Sequence, residues 1–355
     1  MSITVKIDSK KAQRLQTFLK SSIYTDQDHD SISKSPYWQE HSRLINTDIK
    51  KDGVINIDGK SGFYVPNKSF DRYLKFLFNP FKILSKSKEM FKSKFKLPRY
   101  LSYEKAFDIV MNKKNILSPY VINHETLKKS PNVYDSHKSV AMHYMSWAKR
   151  IANHNIISHY YFSNLLRGYI PNNKINTVLD IGAGNGNFPS IFYNDWSPIR
   201  LIMIDLPETL TTAFTFLSSL FPNANIILPN EIEEKIPNDF DFILMTPEQI
   251  EIIDDNSIDL AVNIHSFQEM THQQINIYFK LIQRVVRLSG YFFSSNRIEK
   301  VPSGADSFTI EQTLPPNRFF EYPWNHKNKI LINEVSSFQR LVQADASGIR
   351  LEEIH

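Results

Sequence analysis

Between residues 177 and 297 the apolar positions alternate between two textures. Uninterrupted apolar runs appear at TVLDIG (177–182), IRLIMIDLP (199–207), NIIL (225–228), DFILMT (241–246), IDLAVNIHSF (258–267) and YFFSSNR (291–297). Between them lie segments with apolar residues at helical spacing: NGNFPSIFYNDW (185–196), ETLTTAFTFLSSLF (208–221) and QQINIYFKLIQRVVRLSG (273–290). Runs with no polar face predict strands buried on both sides, and their alternation with helices predicts a parallel sheet covered on both faces. A longer helical pattern over residues 134–170 leads into a turn at Pro171, Asn172 and Asn173. The last sixty residues are less regular and predict a closing pair of strands, with a loop around YPWNHKNK (322–329).

The texture changes near residue 135. Upstream, short helical patterns mix with turn-rich stretches. In KKDGVINIDGKSG (50–62) two Asp-Gly pairs flank VINI, which predicts a small hairpin or loop. Residues 68–99 carry ten Lys or Arg against two acids, interleaved with Phe and Tyr and broken by Pro80 and Pro98. The division predicts residues 1–134 as an N-terminal, mainly helical cap or substrate region and 135–355 as an α/β domain with a doubly wound, Rossmann-like sheet. Composition narrows the classes. No cysteine means no disulfide, thiolate metal site or cysteine nucleophile. No signal-like segment opens MSITVKIDSKKAQRLQ and no apolar run reaches the roughly eighteen residues a membrane span needs, so a cytoplasmic location is expected. The net charge of +5 is modest, and its concentration in residues 68–99 carries more meaning than its size.

The candidate chemistry begins at VLDIGAGNGNF (178–188), which spends three of the chain's ten glycines within five residues. In a doubly wound sheet the first strand-to-helix turn is the usual ligand contact. A dinucleotide fingerprint, G-x-G-x-x-G, would need glycine at 187, where Asn187 stands, so a nicotinamide cofactor is disfavoured. Instead Asp180 precedes Gly182, Gly184 and Gly186, and Asp205 ends the next apolar run.

An acid followed by G-x-G-x-G resembles the class I S-adenosylmethionine-dependent methyltransferases. The resemblance implies a mostly parallel seven-stranded sheet, with the cofactor against Asp180, Gly182, Ala183, Gly184, Gly186, Leu206 and Asn263. It also implies that Asp205 accepts hydrogen bonds from both ribose hydroxyls, a task that suits an ionised carboxylate. Thr246, Glu248 and Gln249 are candidates for the adenine, with the third strand of the sheet left open between NIIL and DFILMT. The set LDIGAGNGNF, DLPE, FILMTPEQIE, HSFQEM and SSNR is similar to the sugar O-methyltransferases found with bacterial surface-polysaccharide genes, over roughly residues 135–300. That likeness implies a sugar or glycan hydroxyl as methyl acceptor.

In-line displacement at a sulfonium carbon depends on alignment, and a hydroxyl acceptor benefits from a base within hydrogen-bond reach. His265 and Glu269 are the catalytic candidates. With His272 their spacing would suit a metal on a continuous helix, but Thr271 and Gln274 read as a capping box that starts the helix later, and no metal is expected. Asn296 and Arg297 are candidates for substrate binding. His137, His143, His154, His159, Tyr144, Tyr160 and Tyr161, in the segment before the glycine strand, stand between two readings: a residue that enters the site, as the resemblance allows, or the commoner surface or hydrogen-bonded core position. Residues 68–99 predict either a solvated face, contact with a membrane-tethered glycan at the inner face of the membrane, or nucleic-acid contact, the last disfavoured. Two other functions stand beside the first: an RNA or DNA methyltransferase, weakened by the absence of an N-P-P-Y type motif where NIHSF stands, and a non-catalytic binding protein on the same scaffold, against which the intact glycines and Asp205 argue.

Overall fold

The computed structural model describes residues 2–25, 46–58, 154–196, 199–300, 315–336 and 347–355. The basic segment 68–99 and the expected domain boundary near residue 134 lie outside the described residues, as do His137, His143, Tyr144 and the side chains of His154 and Tyr160.

The N-terminal part forms strand β1 (Ser2–Lys6), helix α1 (Ser9–Leu19), a short helix α2 (Ser22–Thr25) and strands β2 (Asn46–Ile49) and β3 (Val54–Asp58). β3 sits between β1 and β2, antiparallel to both. The Asp52-Gly53 pair turns the β2–β3 hairpin, with Gly53 at φ +83° and its amide donating to Lys50 O. The expected mainly helical cap is thus, where described, a three-stranded sheet with two helices. VINI alternates half-buried and buried positions, the pattern of a strand packed on one face only.

The main sheet has eight strands in the order β12-β13-β9-β8-β4-β5-β7-β6. They are β4 (Thr177–Ile181), β5 (Arg200–Ile204), β6 (Ile226–Ile227), β7 (Phe242–Met245), β8 (Ile258–Ile264), β9 (Val286–Arg297), β12 (Lys329–Val335) and β13 (Ser347–Glu353). Short β10 (Glu299–Lys300) and β11 (Asn317–Arg318) pair separately. Only β13 runs against its neighbours. Eight strands replace the expected seven because both NIIL and DFILMT enter the sheet. The fully buried β7 pairs with β5, and the two-residue β6 takes the edge, where half its surface need not be buried.

Helices α3 (His154–Arg167), α4 (Asn187–Trp196) and α5 (Pro207–Leu220) share one apolar core with one face of the sheet, and α6 (His272–Val285) packs into a second core on the other. α5 is buried from Pro207 to Ser218. Two of its threonines satisfy their hydroxyls on the helix's own carbonyls, Thr211 on Glu208 O and Thr215 on Thr211 O. The layer above it is the N-terminal unit. Lys11 donates to Ala224 O at 3.0 Å, and Arg14 forks onto Glu231 while also donating to Ile226 O. α1 therefore covers the open edge at β6, the place where an unpaired strand would otherwise invite another chain.

The amphipathic helix expected to run to Gly290 stops at Val285, and Val286 already belongs to β9. Two β-branched residues in sequence favour the strand. Ser289 at φ +59° and a register shift between Ile258 and Leu260 absorb the change of direction. A Cβ on Gly290 would lie 2.8 Å from Arg287 O, so glycine here serves a bulge rather than a helix cap.

At the amino ends of the strands, Asp259 accepts from the amides of Asn176 and Thr177 at 2.7 and 2.9 Å and pairs with Arg287. This carboxylate anchors β4 to β8 far from the glycine turn. Asp259→Ala is expected to cost about 3 kcal/mol in urea unfolding at unchanged m-value, because it strands two amides and a cation.

Candidate active site

The chain leaves β4 toward β5 on one side and later returns to β8 on the other. The carboxyl end of β4 is therefore the topological switch point where ligands bind in open α/β sheets, and it carries the glycine turn. The three glycines all have positive φ, but the surroundings differ. At Gly182 (φ +72°) a Cβ would fall 2.1 Å from Ser266 Oγ, so glycine is needed to admit the loop after β8. At Gly184 (φ +60°) a Cβ would meet nothing within 4 Å: this side of the turn faces open space. Gly186 packs against Leu217 of α5 and Met203.

The turn is laced to β5. Gly182 and Ala183 donate to Ile204 O at 2.8 and 3.2 Å, and Asp205 closes the connection. Its Oδ2 accepts from the Gly184 amide and its Oδ1 from the Leu206 amide, each at 2.7 Å. An ionised carboxylate has about four lone-pair positions, so these two amides do not exhaust its capacity to accept. The Asp205 amide donates to Met245 O at 3.1 Å, which places the end of β7 alongside. Burial pushes the Asp205 carboxyl up to about 6; the Gly184 and Leu206 amides and the Thr209 hydroxyl oppose the rise, and Glu269 adds to it. Asp180, at the end of β4 and 3% exposed, is raised well above the usual carboxylate range by burial and then by Asp205. A site with these acids favours a cation.

The adenine candidates divide. Thr246 and Gln249 form a capping box, the Thr246 amide donating to Gln249 Oε1 at 3.0 Å, and Gln249 Nε2 reaches Pro229 O at 2.9 Å. These two build the corner that joins β6 to β7, whereas Glu248 is exposed beside them. Tyr278 of α6, which the sequence presents only as part of an apolar stripe, lines the same region: burial, with Asp205 and Glu248 beside it, raises its hydroxyl pKa.

Asn263 and Asn296 require correction. Both are fully buried. Asn263 Nδ2 donates to Ile181 O at 2.9 Å and to Ser266 Oγ, and its Oδ1 accepts from Asn296 Nδ2 at 2.8 Å. Asn296 also donates to Ser294 Oγ at 2.9 Å and accepts from the Gln268 amide at 3.1 Å. Their side-chain amides are used inside the protein rather than turned to the open side of the glycine turn, where the sequence reading puts them. Arg297, half-buried at the end of β9, has its amide on Gln268 Oε1 and stands opposite Ser347 across the β9–β13 ladder.

His265 has φ +63°, uncommon outside glycine. Strand alternation would place Ile264 and His265 on opposite faces. Instead, Ile264 belongs to the same core as Phe162 of α3, and the His265 ring centroid lies 6.4 Å from that of Phe162. The left-handed residue turns the imidazole toward α3, and its amide is held by Ser295 O at 2.8 Å. Glu269 is paired with Lys300 at 2.9 Å, both about 15% exposed or less. α6 starts at the Thr271 capping box, as the sequence predicts, and His272 faces Pro316 O at 3.3 Å. His265, Glu269 and His272 thus do not share a helix face, and among the described residues no group of three His, Asp or Glu is arranged to hold a metal ion. From the helix before the glycine strand, His159 reaches the start of α4, its Nδ1 2.8 Å from Asn187 Nδ2 and its ring edge-on to Phe188.

No protein-family model matches this sequence, and no curated protein matches it either. Solved structures similar to it include a Haloferax volcanii methyltransferase in complex with the Trm112 activator, at 12% identity over 56% of this chain and 90% of that one, with a TM-score of 0.37. PH0226 protein from Pyrococcus horikoshii OT3 has 15% identity over 55% and 88%, TM-score 0.33. Geranyl diphosphate C-methyltransferase from Streptomyces coelicolor A3(2) has 8% over 51% and 70%, TM-score 0.36. The chain spans 47% of a Galdieria sulphuraria sarcosine dimethylglycine methyltransferase. Likeness at this level extends to neither substrate nor chemistry.

Two outcomes follow from the geometry. A raised Asp205 pKa means that the fold holds more protons than the unfolded chain between the ordinary value of 3.8 and about 6, so its contribution to stability falls as pH rises through that window. A cationic ligand needs the ionised form, so its affinity rises over the same window. Urea stability and calorimetric affinity for S-adenosylmethionine, each compared with Asp205→Asn between about pH 4 and 7, should therefore trend in opposite directions. At position 265, His265→Gly should be more stable than His265→Ala by about 1 kcal/mol in thermal melts, the reverse of the usual order.

Proposed function

We propose that this chain is an S-adenosylmethionine-dependent O-methyltransferase whose acceptor is a hydroxyl of a sugar or glycan. The observation that carries the reading is the Asp205 carboxylate, fixed by one loop amide on each oxygen beside the open face of Gly184. This arrangement fits the cofactor. Spare lone pairs on Asp205 suit the two ribose hydroxyls, the missing Cβ at Gly184 leaves room for the methionine half, and the acids Asp180 and Asp205 complement a sulfonium cation. Ala183 and Leu206 flank the same cradle, and Glu248 and Tyr278 lie toward the adenine end. When bound, S-adenosylmethionine supplies an electrophilic methyl group.

His265 is the base in this reading. Its imidazole takes the proton of the acceptor hydroxyl as the oxygen attacks the methyl carbon and displaces the sulfonium sulfur with the bonding pair, which needs no charge on the ring at the start. Glu269, already neutralised by Lys300, serves as a hydroxyl acceptor rather than as a base. Arg297 sits at the acceptor end and suits a carboxylate or phosphate on the substrate. We assign residues 1–134 to the acceptor side, with the basic segment 68–99 contacting a tethered glycan at the inner face of the membrane. Among the described residues no helix is long and apolar enough to cross a membrane.

Calorimetry with S-adenosylmethionine tests the donor: the wild type should give heat at high micromolar cofactor and Asp205→Ala should lose about tenfold or more in affinity while staying folded. Absence of heat from the wild type overturns the reading. Labelled methyl transferred into a panel of nucleotide sugars, lipid-linked glycans and RNA tests the acceptor, and label found only in RNA replaces the sugar with nucleic acid.

A further inference from the structure

We infer that Asn296 is a positioning residue for methyl transfer: through Asn263 and the Ile181 carbonyl it fixes the left-handed turn at His265 against the glycine turn. The inference rests on the proposed roles of His265 and the glycine turn. Its physical basis is the distribution of hydrogen bonds around His265. The Ile181 carbonyl, one residue before Gly182, receives two donors, Asn263 Nδ2 at 2.9 Å and Ser266 Oγ at 3.0 Å. These residues bracket His265, two positions before it and one after. The same two asparagines also bind the following amides, Phe267 N to Asn263 Oδ1 at 3.4 Å and Gln268 N to Asn296 Oδ1 at 3.1 Å. Every backbone segment on either side of the strained residue is thereby tied to one end of β4 and to β9.

Such over-determination is what lets a residue persist in a sparsely populated conformation that costs about 1–3 kcal/mol. Asn296 is the far member of this relay. It makes no hydrogen bond to His265, yet its Nδ2 is the shortest donor to Asn263 Oδ1, at 2.8 Å against 3.4 Å for the Phe267 amide, and so helps orient the amide whose Nδ2 holds Ile181 O. Ser266 lies where a Cβ of residue 182 would be, so the base-bearing turn and the cofactor-facing turn interlock at van der Waals distance. A displacement of about 1 Å between two such groups can cost roughly 100-fold in rate.

The test follows the His265 imidazole directly. Selectively carbon-13-labelled histidine gives eleven imidazole signals, one for each histidine of the chain, and His265→Asn assigns the one of interest. In the full chain with S-adenosylhomocysteine, Asn296→Ala and the gentler Ser266→Ala should move the His265 signal and its pH titration, with affinity for S-adenosylhomocysteine held within about threefold. Methyl transfer should fall about 100-fold in kcat for Asn296→Ala and about 10-fold for Ser266→Ala, at unchanged KM for the cofactor. Asn317→Ala is the control. Asn317 is equally buried and anchors the same loop farther on, at Phe267 O and Met270 O, so its loss should lower the melting temperature and leave the His265 signal in place.

An unmoved His265 signal in both Asn296→Ala and Ser266→Ala overturns the inference, as does an equal shift in Asn317→Ala. If Asn296→Ala does not fold, Ser266→Ala decides alone. Failure of the wild type to bind S-adenosylhomocysteine counts against the proposed function instead, and the same spectra of the ligand-free chain still decide the positioning role.

Discussion

The carbonyl oxygen of Ile181 is the point on which the site turns. It ends the central strand, one residue before the glycine turn, and instead of continuing a ladder it accepts from Asn263 and Ser266. A buried carbonyl left without donors would cost free energy comparable to a lost hydrogen bond. Satisfying it from the β8 loop couples two loop segments that are more than eighty residues apart in sequence. Glycine at 182 is the steric condition for that coupling, since any Cβ would displace Ser266. The glycine turn and the turn toward α3 are in this sense one structural unit.

Charge is arranged with similar economy. Asp180 and Asp205 stand at the ends of adjacent parallel strands, Asp180 in register with Met203 two residues before Asp205, and both are pushed toward protonation by burial. Their placement costs the ligand-free fold stability and favours a positive ligand. At the opposite end of the strands, Asp259 does different work: it is neutralised by Arg287 and holds two backbone amides. The same residue type is thus left raised and, among the described residues, uncompensated by any cation at the carboxyl ends, and serves cohesion at the amino ends, the separation expected of a sheet whose ligand-binding side is the carboxyl one.

Much of the sheet was legible because its strands are continuous apolar runs, a pattern that survives without knowledge of neighbours. β4, β5, β7, β8 and β9 fall where those runs lie, as do α4 and α5 to within a residue or two. The capping box at Thr271 was legible too, since it depends on residues three apart. The end of α6 was not, because RVVRLSG has helical spacing and only pairing with Ile258 of β8 draws Val286 into a strand. The place of NIIL at the edge, outside DFILMT, likewise depends on which strand β5 selects.

Local chemistry determined the glycine turn, its preceding acid and the acid at the end of the next strand, because backbone freedom and strand-end carboxylates are properties of short segments. The tertiary structure decided which polar residues face a ligand. Asn263 and Asn296 look like site residues in sequence, polar groups at strand ends, and only their mutual contact shows that their hydrogen-bonding capacity is spent. Tyr278 looks like core and is core, packed on Phe267, but α6 carries its hydroxyl close enough to Asp205 and Glu248 for their charge to raise its pKa along with burial. Hydrogen-bond saturation is a property of pairs distant along the chain, and periodicity reports only the face on which each residue lies.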